Sequence, residues 1–205
     1  MKLNDKGLLV VISGPSGVGK STVRKALFNM PNHDLVYSVS MTTRAPRNNE
    51  QDGVDYYFVD MKTFEKRIEE DQFLEYAKFV GNYYGTPQDK VFEQMNLGKE
   101  VILEIEVEGA LQVRDKVKDG VFIFLVPPKK KNLYDRLKNR DSESEEIIQN
   151  RIEKANSEFK LAHKYDYIVV NDNVENAADR IMAIIRAEHA KTERSIHKYL
   201  ENLKE

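Results

Sequence analysis

The chain is predicted to be an α/β protein: a parallel-sheet core with helices on both faces, a small inserted mixed α/β subdomain and a short lid. Three observations predict this. Short apolar runs rich in β-branched residues alternate with longer polar–apolar stretches, the pattern of a parallel sheet with crossover helices. A glycine-rich turn ending in Lys-Ser separates the first apolar run from the first helical stretch. Around the segment Ser38 to Pro87 the alternation gives way to short strands and turns, and six of the ten tyrosines fall between Tyr37 and Tyr84.

Leu8 to Ile12 is continuously apolar, as a strand buried on both faces requires. It is too short for a signal peptide and runs directly into glycines. Lys20 to Phe28 reads as a helix. Three further buried strands are Val101 to Ile105, Val121 to Val126 and Tyr167 to Val170. The stretches Val107 to Val117, Lys130 to Arg140 and Glu145 to Lys164 read as helices. A C-terminal helix over Val174 to Leu203 places Ile181, Ile184, Ile185, Ile196, Tyr199 and Leu203 near helical spacing, with Glu188 interrupting the stripe. Its apolar stripe fits core packing or an oligomer contact, and monomer and homo-oligomer both stay open. Within the insertion, SVSMTTR, VDYYFVD and FLEYAKFVGNYYGTP alternate polar and aromatic residues around a helix at Thr63 to Asp71. That pattern suits a small mixed sheet with one face open to water. At ~150 residues per domain, 205 residues make one domain. Its core comprises 1–37, 89–128 and 165–205, its insertion 38–88 and its lid region 129–164.

Composition excludes several function classes. Lys and Arg number 32 against 34 Asp and Glu, a net charge of −2, so the basic excess of a nucleic-acid coat is missing. There is no cysteine, which rules out a disulfide scaffold, a Cys-ligated zinc site and a thiol nucleophile, and fits a cytoplasmic protein. No apolar run approaches the ~20 residues of a membrane span. His33, His163, His189 and His197 lack metal-ligand spacing and read as solvated or packing residues.

The sharpest chemical signal is Gly14-Pro15-Ser16-Gly17-Val18-Gly19-Lys20-Ser21, which fits G-x-x-x-x-G-K-[ST] at every fixed position. Glycines let the backbone curl with its N–H groups inward and keep side chains out of the way of phosphates. Lys20 brings a compact positive charge to the β- and γ-phosphates. Ser21 offers a hydroxyl to Mg²⁺. The helix that begins there presents its positive end. An ATP-type nucleotide is the expected ligand, with Mg²⁺ as its companion.

The insertion carries cations and aromatics suited to a second phosphate. Arg44 and Arg47 flank Pro46 three residues apart, and arginine forks bind phosphate oxygens bidentately. Tyr56 and Tyr84 add hydroxyl donors. Glu75 and Glu106 stand in otherwise apolar stretches, FLEYAKF and ILEIEVEG. A carboxylate facing a pocket accepts the adjacent N–H donors of guanine, a pair adenine lacks. The residue types alone fit equally well two solvated loop arginines and two edge-strand glutamates.

Taken together, ISGPSGVGKST, SVSMTTRAPR, DGVDYYF, FLEYAKFVGNYYGTP, ILEIEVEGA and YDYIVVND resemble the blocks of the guanylate kinase family, in order and at family-like spacing, from Leu8 to the C-terminal helix. The resemblance implies ATP-dependent phosphorylation of GMP, and of dGMP. It implies that the run through Thr22 binds ATP, with Asn171 and Asp172 near the ATP base. It implies that the GMP phosphate meets Arg44, Arg47, Tyr56 and Tyr84, and that guanine is read by Ser40, Glu75, Thr86 and Glu106. Arg136, Arg140 and Arg151 match the lid arginines that lie over the transferring phosphoryl group. With Lys20 and Arg44 they form the expected catalytic set. One departure is Asp141, where many members carry a glycine. Competing readings are a kinase for another nucleoside monophosphate, a non-catalytic phosphopeptide-binding scaffold and an ATP-hydrolysing regulator. The intact loop argues against the scaffold, and the acceptor residues argue against the regulator.

Overall fold

The computed structural model describes residues 6–138 and 145–204. The chain begins β1 (Leu9–Ser13), α1 (Lys20–Phe28) and β2 (Leu35–Tyr37). It continues through β3 (Met41–Thr42), β4 (Tyr57–Phe58), α2 (Met61–Glu69), β5 (Phe73–Phe79) and β6 (Asn82–Pro87). Then come α3 (Gln88–Asn96), β7 (Glu100–Glu104), α4 (Val107–Lys116) and β8 (Val121–Val126). Last are α5 (Lys130–Lys138), α6 (Glu145–Phe159), a 3₁₀ turn at Ala162–Lys164, β9 (Tyr167–Val170), α7 (Val174–His189) and α8 (Thr192–Asn202).

Five strands form a parallel sheet in the order β2–β7–β1–β8–β9. β1 is buried throughout because both of its faces are covered. Val10 and Ile12 pack with Val23 and Leu27 of α1 and with Ile181 and Ile185 of α7. Leu9 and Val11 pack against Val91 and Met95 of α3 and Ala110 and Val113 of α4. Each of these valine, leucine, isoleucine and methionine side chains contributes roughly 1.5–3 kcal/mol by leaving water. The register pairs Ile12 with Glu104 on one side and Ile123 on the other. The carboxyl ends of β1, β7 and β8 therefore finish together, the edge where open α/β sheets bind ligands.

A second sheet, β4–β3–β6–β5, is mixed. Its own small core stacks Phe64 of α2 on Phe73 at 4.3 Å and on Tyr83 at 5.2 Å. Asp60 caps α2 by accepting the Thr63 N–H at 2.6 Å, so the helix starts two residues before the sequence expectation. The edge of β5 is closed by α4. Gln112 bonds both backbone groups of Tyr76, at 3.2 and 3.3 Å, and Lys116 reaches the Phe73 carbonyl at 2.6 Å. α4 thus joins the two sheets and satisfies an otherwise open strand edge.

The C-terminal stretch is two helices rather than one. At the corner Glu188 is buried, accepting from Lys191 at 2.7 Å, Arg194 at 3.2 Å and the Tyr167 hydroxyl. The residue that interrupts the apolar stripe is the ion-pair hub that turns the chain. His189 bonds Glu100 at 2.7 Å, and His33 sits between the Leu35 N–H and the Phe28 carbonyl. α6 ends at Phe159, earlier than the periodicity suggests, and β2 is a three-residue edge strand without a readable pattern. Among the described residues no helix is long and apolar enough to cross a membrane.

The β5–β6 hairpin turns through Val80 and Gly81, with φ +46° and +79°. A β-branched residue in the left-handed region is strained by about 1–3 kcal/mol. Val80 is 80% exposed, so no packing compensates. Val80→Asn, which installs the Asn-Gly pair such turns favour, is expected to raise the melting temperature by about 2–4 °C, read by calorimetry.

Candidate active site

The loop between β1 and α1 takes its shape from glycine. Gly14, Gly17 and Gly19 have φ of +145°, +81° and +96°. A Cβ on Gly14 would sit 2.4 Å from the Leu125 carbonyl oxygen, so β8 leaves room only for glycine. α1 begins at Lys20 with no side-chain cap at Gly19 and no acidic residue in its first turn. Its leading N–H groups and positive dipole end are left for an anion. The side-chain amide of buried Asn171, just after β9, donates to the Val18 carbonyl at 2.8 Å and ties the β9–α7 turn to the loop. Lys20 Nζ donates to the carbonyls of Gly14 at 2.6 Å and Pro15 at 3.3 Å. Burial pushes its ammonium below the usual lysine range, and the charges of Glu106, Glu158 and Glu104 pull it back up. Polyanionic phosphates would compensate the same desolvated cation.

A cleft of about 490 Å³ opens over the loop, lined by Ser16, Gly17, Gly19, Lys20, Ser21, Thr22, Glu104, Glu106, Asn171 and Val174. Gly14, Pro15 and Val18 are buried beneath it. Asp172 does not line the cleft. Its carboxylate forks onto Arg180 at 2.7 and 3.1 Å, and these bonds lower its pKa to about 2. Glu104, absent from the sequence reading, closes β7 and is held by Arg24 at 2.6 Å. The signal was present: Glu104 and Glu106 stand two apart, ending an apolar strand beside β1. Glu106 is exposed and bonded by Lys154 of α6 at 2.6 Å, and Lys154 also lies 3.9 Å from the buried Glu158.

The acceptor residues cluster on the second sheet. Arg44 donates to Glu50 at 2.9 Å and lies over the rings of Tyr56 and Phe58, at 5.4 and 5.8 Å. The rings of Tyr56 and Tyr84 meet edge-on at 6.0 Å. Glu50 also accepts the Arg47 N–H at 2.9 Å while the Arg47 side chain is exposed. Glu50 thus pins the loop carrying both arginines, and the bond from Arg44 holds its carboxyl below the usual range. Ser40 is half-buried, its carbonyl accepting the Tyr57 N–H at 2.9 Å.

Glu75 and Thr86 are buried on paired strands, the Thr86 hydroxyl donating to Glu75 at 2.6 Å. Burial raises the Glu75 pKa, and the Thr86 bonds offset this in part. A Cβ on Gly109 of α4 would lie 2.9 Å from Glu75 Oε2, so glycine there makes room for the carboxylate. Glu106 is the N-cap residue of the same helix. The two glutamates singled out in the sequence therefore both meet the first turn of α4. Arg151 is half-buried on α6, one turn before Lys154, and Arg136 lies on α5. Arg140 and Asp141 lie outside the described residues.

A parallel sheet with a phosphate loop at its carboxyl edge, joined to a mixed sheet that carries a buried carboxylate beside a loop with two arginines, defines a phosphate-loop nucleotide kinase. The family model for guanylate kinase matches residues 6–188. A guanylate kinase of Aster yellows witches'-broom phytoplasma is 66% identical over 206 residues, covering 100% of this chain and 98% of that protein. One from Streptococcus agalactiae is 54% identical over 203 residues, covering 99% and 97%. The crystal structure of guanylate kinase from Anaplasma phagocytophilum superposes with a TM-score of 0.70 at 35% identity, covering 92% of this chain and 89% of that one. The chain belongs to the guanylate kinase family.

Proposed function

We propose that the protein transfers the γ-phosphoryl group of ATP to the phosphate of GMP or dGMP, forming ADP and GDP or dGDP, in the cytoplasm as part of purine nucleotide recycling. The observation that carries this reading is the pairing of an uncapped phosphate loop with a second site where Arg44 stands beside Tyr56 and Tyr84, with buried Glu75 on the same sheet. Loop residues Gly14 to Thr22 hold the ATP phosphates, and Asn171 borders its base from the cleft, with Asp172 next to it but tied to Arg180 outside the cleft lining. Arg44, Arg47, Tyr56 and Tyr84 hold the acceptor phosphate. Ser40, Glu75, Thr86 and Glu106 read guanine.

The acceptor phosphate is already an oxyanion at neutral pH, so no general base is needed. One of its oxygens attacks the γ-phosphorus in line, and the bond to the ADP oxygen breaks. The protein's work is to align two anions and spread their charge. Lys20 and Arg44 supply the charge, aided by the family's lid positions Arg136, Arg140 and Arg151. Ser21 and Glu104 present hard oxygen donors on one cleft, which fits Mg²⁺ held by a hydroxyl, a carboxylate, waters and substrate phosphates. When bound, Mg²⁺ neutralises charge on the β- and γ-phosphates.

The test is ADP formation from Mg–ATP with GMP, dGMP, AMP, CMP, UMP and dTMP offered separately. Turnover with GMP and dGMP alone is expected. Turnover with another monophosphate would overturn the assignment of Ser40, Glu75, Thr86 and Glu106. No turnover, with a phosphopeptide bound instead, would replace the enzyme reading altogether.

A further inference from the structure

Glu104 ends β7, Glu106 is the N-cap residue of α4 two positions later, and each is met by a cation from a different helix at 2.6 Å. The two pairs are built differently. Lys154 and Glu106 are both widely exposed, with side chains 47% and 63% accessible. Arg24 and Glu104 are only 21% and 15% accessible. Arg24 follows Lys20 by one turn of α1, and its guanidinium lies over the Tyr37 ring, 4.2 Å from the centroid. Tyr37 is braced in turn by Phe28 at 6.5 Å. A guanidinium held over a ring by a cation–π contact has less rotamer freedom left to lose. Its Nε donates to Oε2 of Glu104, and among the described residues no hydrogen bond reaches Oε1.

We propose that Arg24 is a positioning residue for the metal half of the donor site: clamped on Tyr37, it fixes the Glu104 carboxylate so that its second oxygen faces the Mg²⁺ that accompanies ATP. This rests on the reading above that Ser21 and Glu104 serve that ion. Arg24 itself touches neither nucleotide nor metal. Without it, Glu104 is free to turn toward Lys20, whose ammonium already feels its charge.

The test measures ATP affinity by calorimetry with Mg²⁺ and with EDTA, in the parent, Arg24→Met, Arg24→Lys and Glu104→Gln. Removing a residue that orients a metal ligand costs about 10–100-fold in metal affinity. In Arg24→Met the gain in ATP affinity on adding Mg²⁺ is expected to shrink about tenfold, with metal-free affinity unchanged within about twofold. Arg24→Lys is expected to recover part of the gain, and the Mg²⁺ concentration for half-maximal turnover should rise in the same order. A Mg²⁺ gain in Arg24→Met equal to the parent's, while Glu104→Gln loses it, would overturn the role of Arg24 alone. A full Mg²⁺ gain in Glu104→Gln would overturn the metal assignment beneath it. An equal loss of ATP affinity with and without Mg²⁺ in Arg24→Met would make Arg24 a direct nucleotide contact and overturn the positioning role.

Discussion

Arg44→Met is expected to lower turnover with ATP and GMP about a thousandfold, the scale on which an arginine bridging two phosphates acts. The melting temperature should change little, because the side chain lies on the protein's surface layer over Tyr56 and Phe58 rather than in a core. Arg44→Lys is expected to recover only a small part of the rate. A lysine ammonium has no planar fork to stack on those rings while also meeting Glu50 and a phosphate. Glu50→Gln keeps the arginine but weakens its anchor, and should give an intermediate loss with GMP KM rising more than kcat falls. Steady-state kinetics on the three variants checks the ordering, and a rate for Arg44→Met within threefold of the parent would remove Arg44 from the catalytic set.

Glu75→Gln should separate recognition from stability in opposite directions. The carboxylate sits in a buried pocket between Thr86 and Gly109, and burial raises its pKa above the ordinary glutamate value. A carboxyl whose folded pKa exceeds its unfolded one costs no stability while protonated in both states. The cost grows as pH rises through the folded pKa and is complete above it. Glutamine keeps the acceptor oxygen for Thr86 without the charge, so at pH 7–8 the ligand-free variant should melt about 2–4 °C higher than the parent. That advantage should fade as pH falls toward the unfolded glutamate pKa. GMP recognition should suffer, because an amide NH₂ facing guanine's N–H donors replaces an acceptor with a donor. KM for GMP is expected to rise about a hundredfold or more. Calorimetric melts from pH 4 to 8, with kinetics at pH 7.5, check both halves, and a variant melting below the parent at pH 8 contradicts the electrostatic account.

The strands and helices of the core were legible because each obeys one local rule. β1, β8 and β9 are short apolar runs, α1 follows a glycine turn, and Val121–Val126 and Tyr167–Val170 match their apolar runs residue for residue. The glycines and Lys20 of the phosphate loop were equally plain, since backbone geometry and phosphate chemistry dictate residue types at fixed spacing. β2 was not legible because its three residues at the sheet edge carry no period. The break between α7 and α8 was hidden because Glu188 reads as a flaw in a helical stripe until Lys191, Arg194 and Tyr167 are seen to converge on it.

Sequence alone determined the sheet class, the phosphate loop and the family resemblance, all of which rest on interactions between near neighbours in the chain. Tertiary structure decided which charges stand together. Arg24 lies 80 residues from Glu104, Lys154 48 from Glu106, and Asn171 153 from Val18. Thr86 and Glu75 become a buried pair only when β5 and β6 align, and Gly109 matters only because α4 crosses that strand edge. Charge pairing and burial depend on distance in space, and spacing along the chain carries almost none of that information once strands from both ends meet in one sheet.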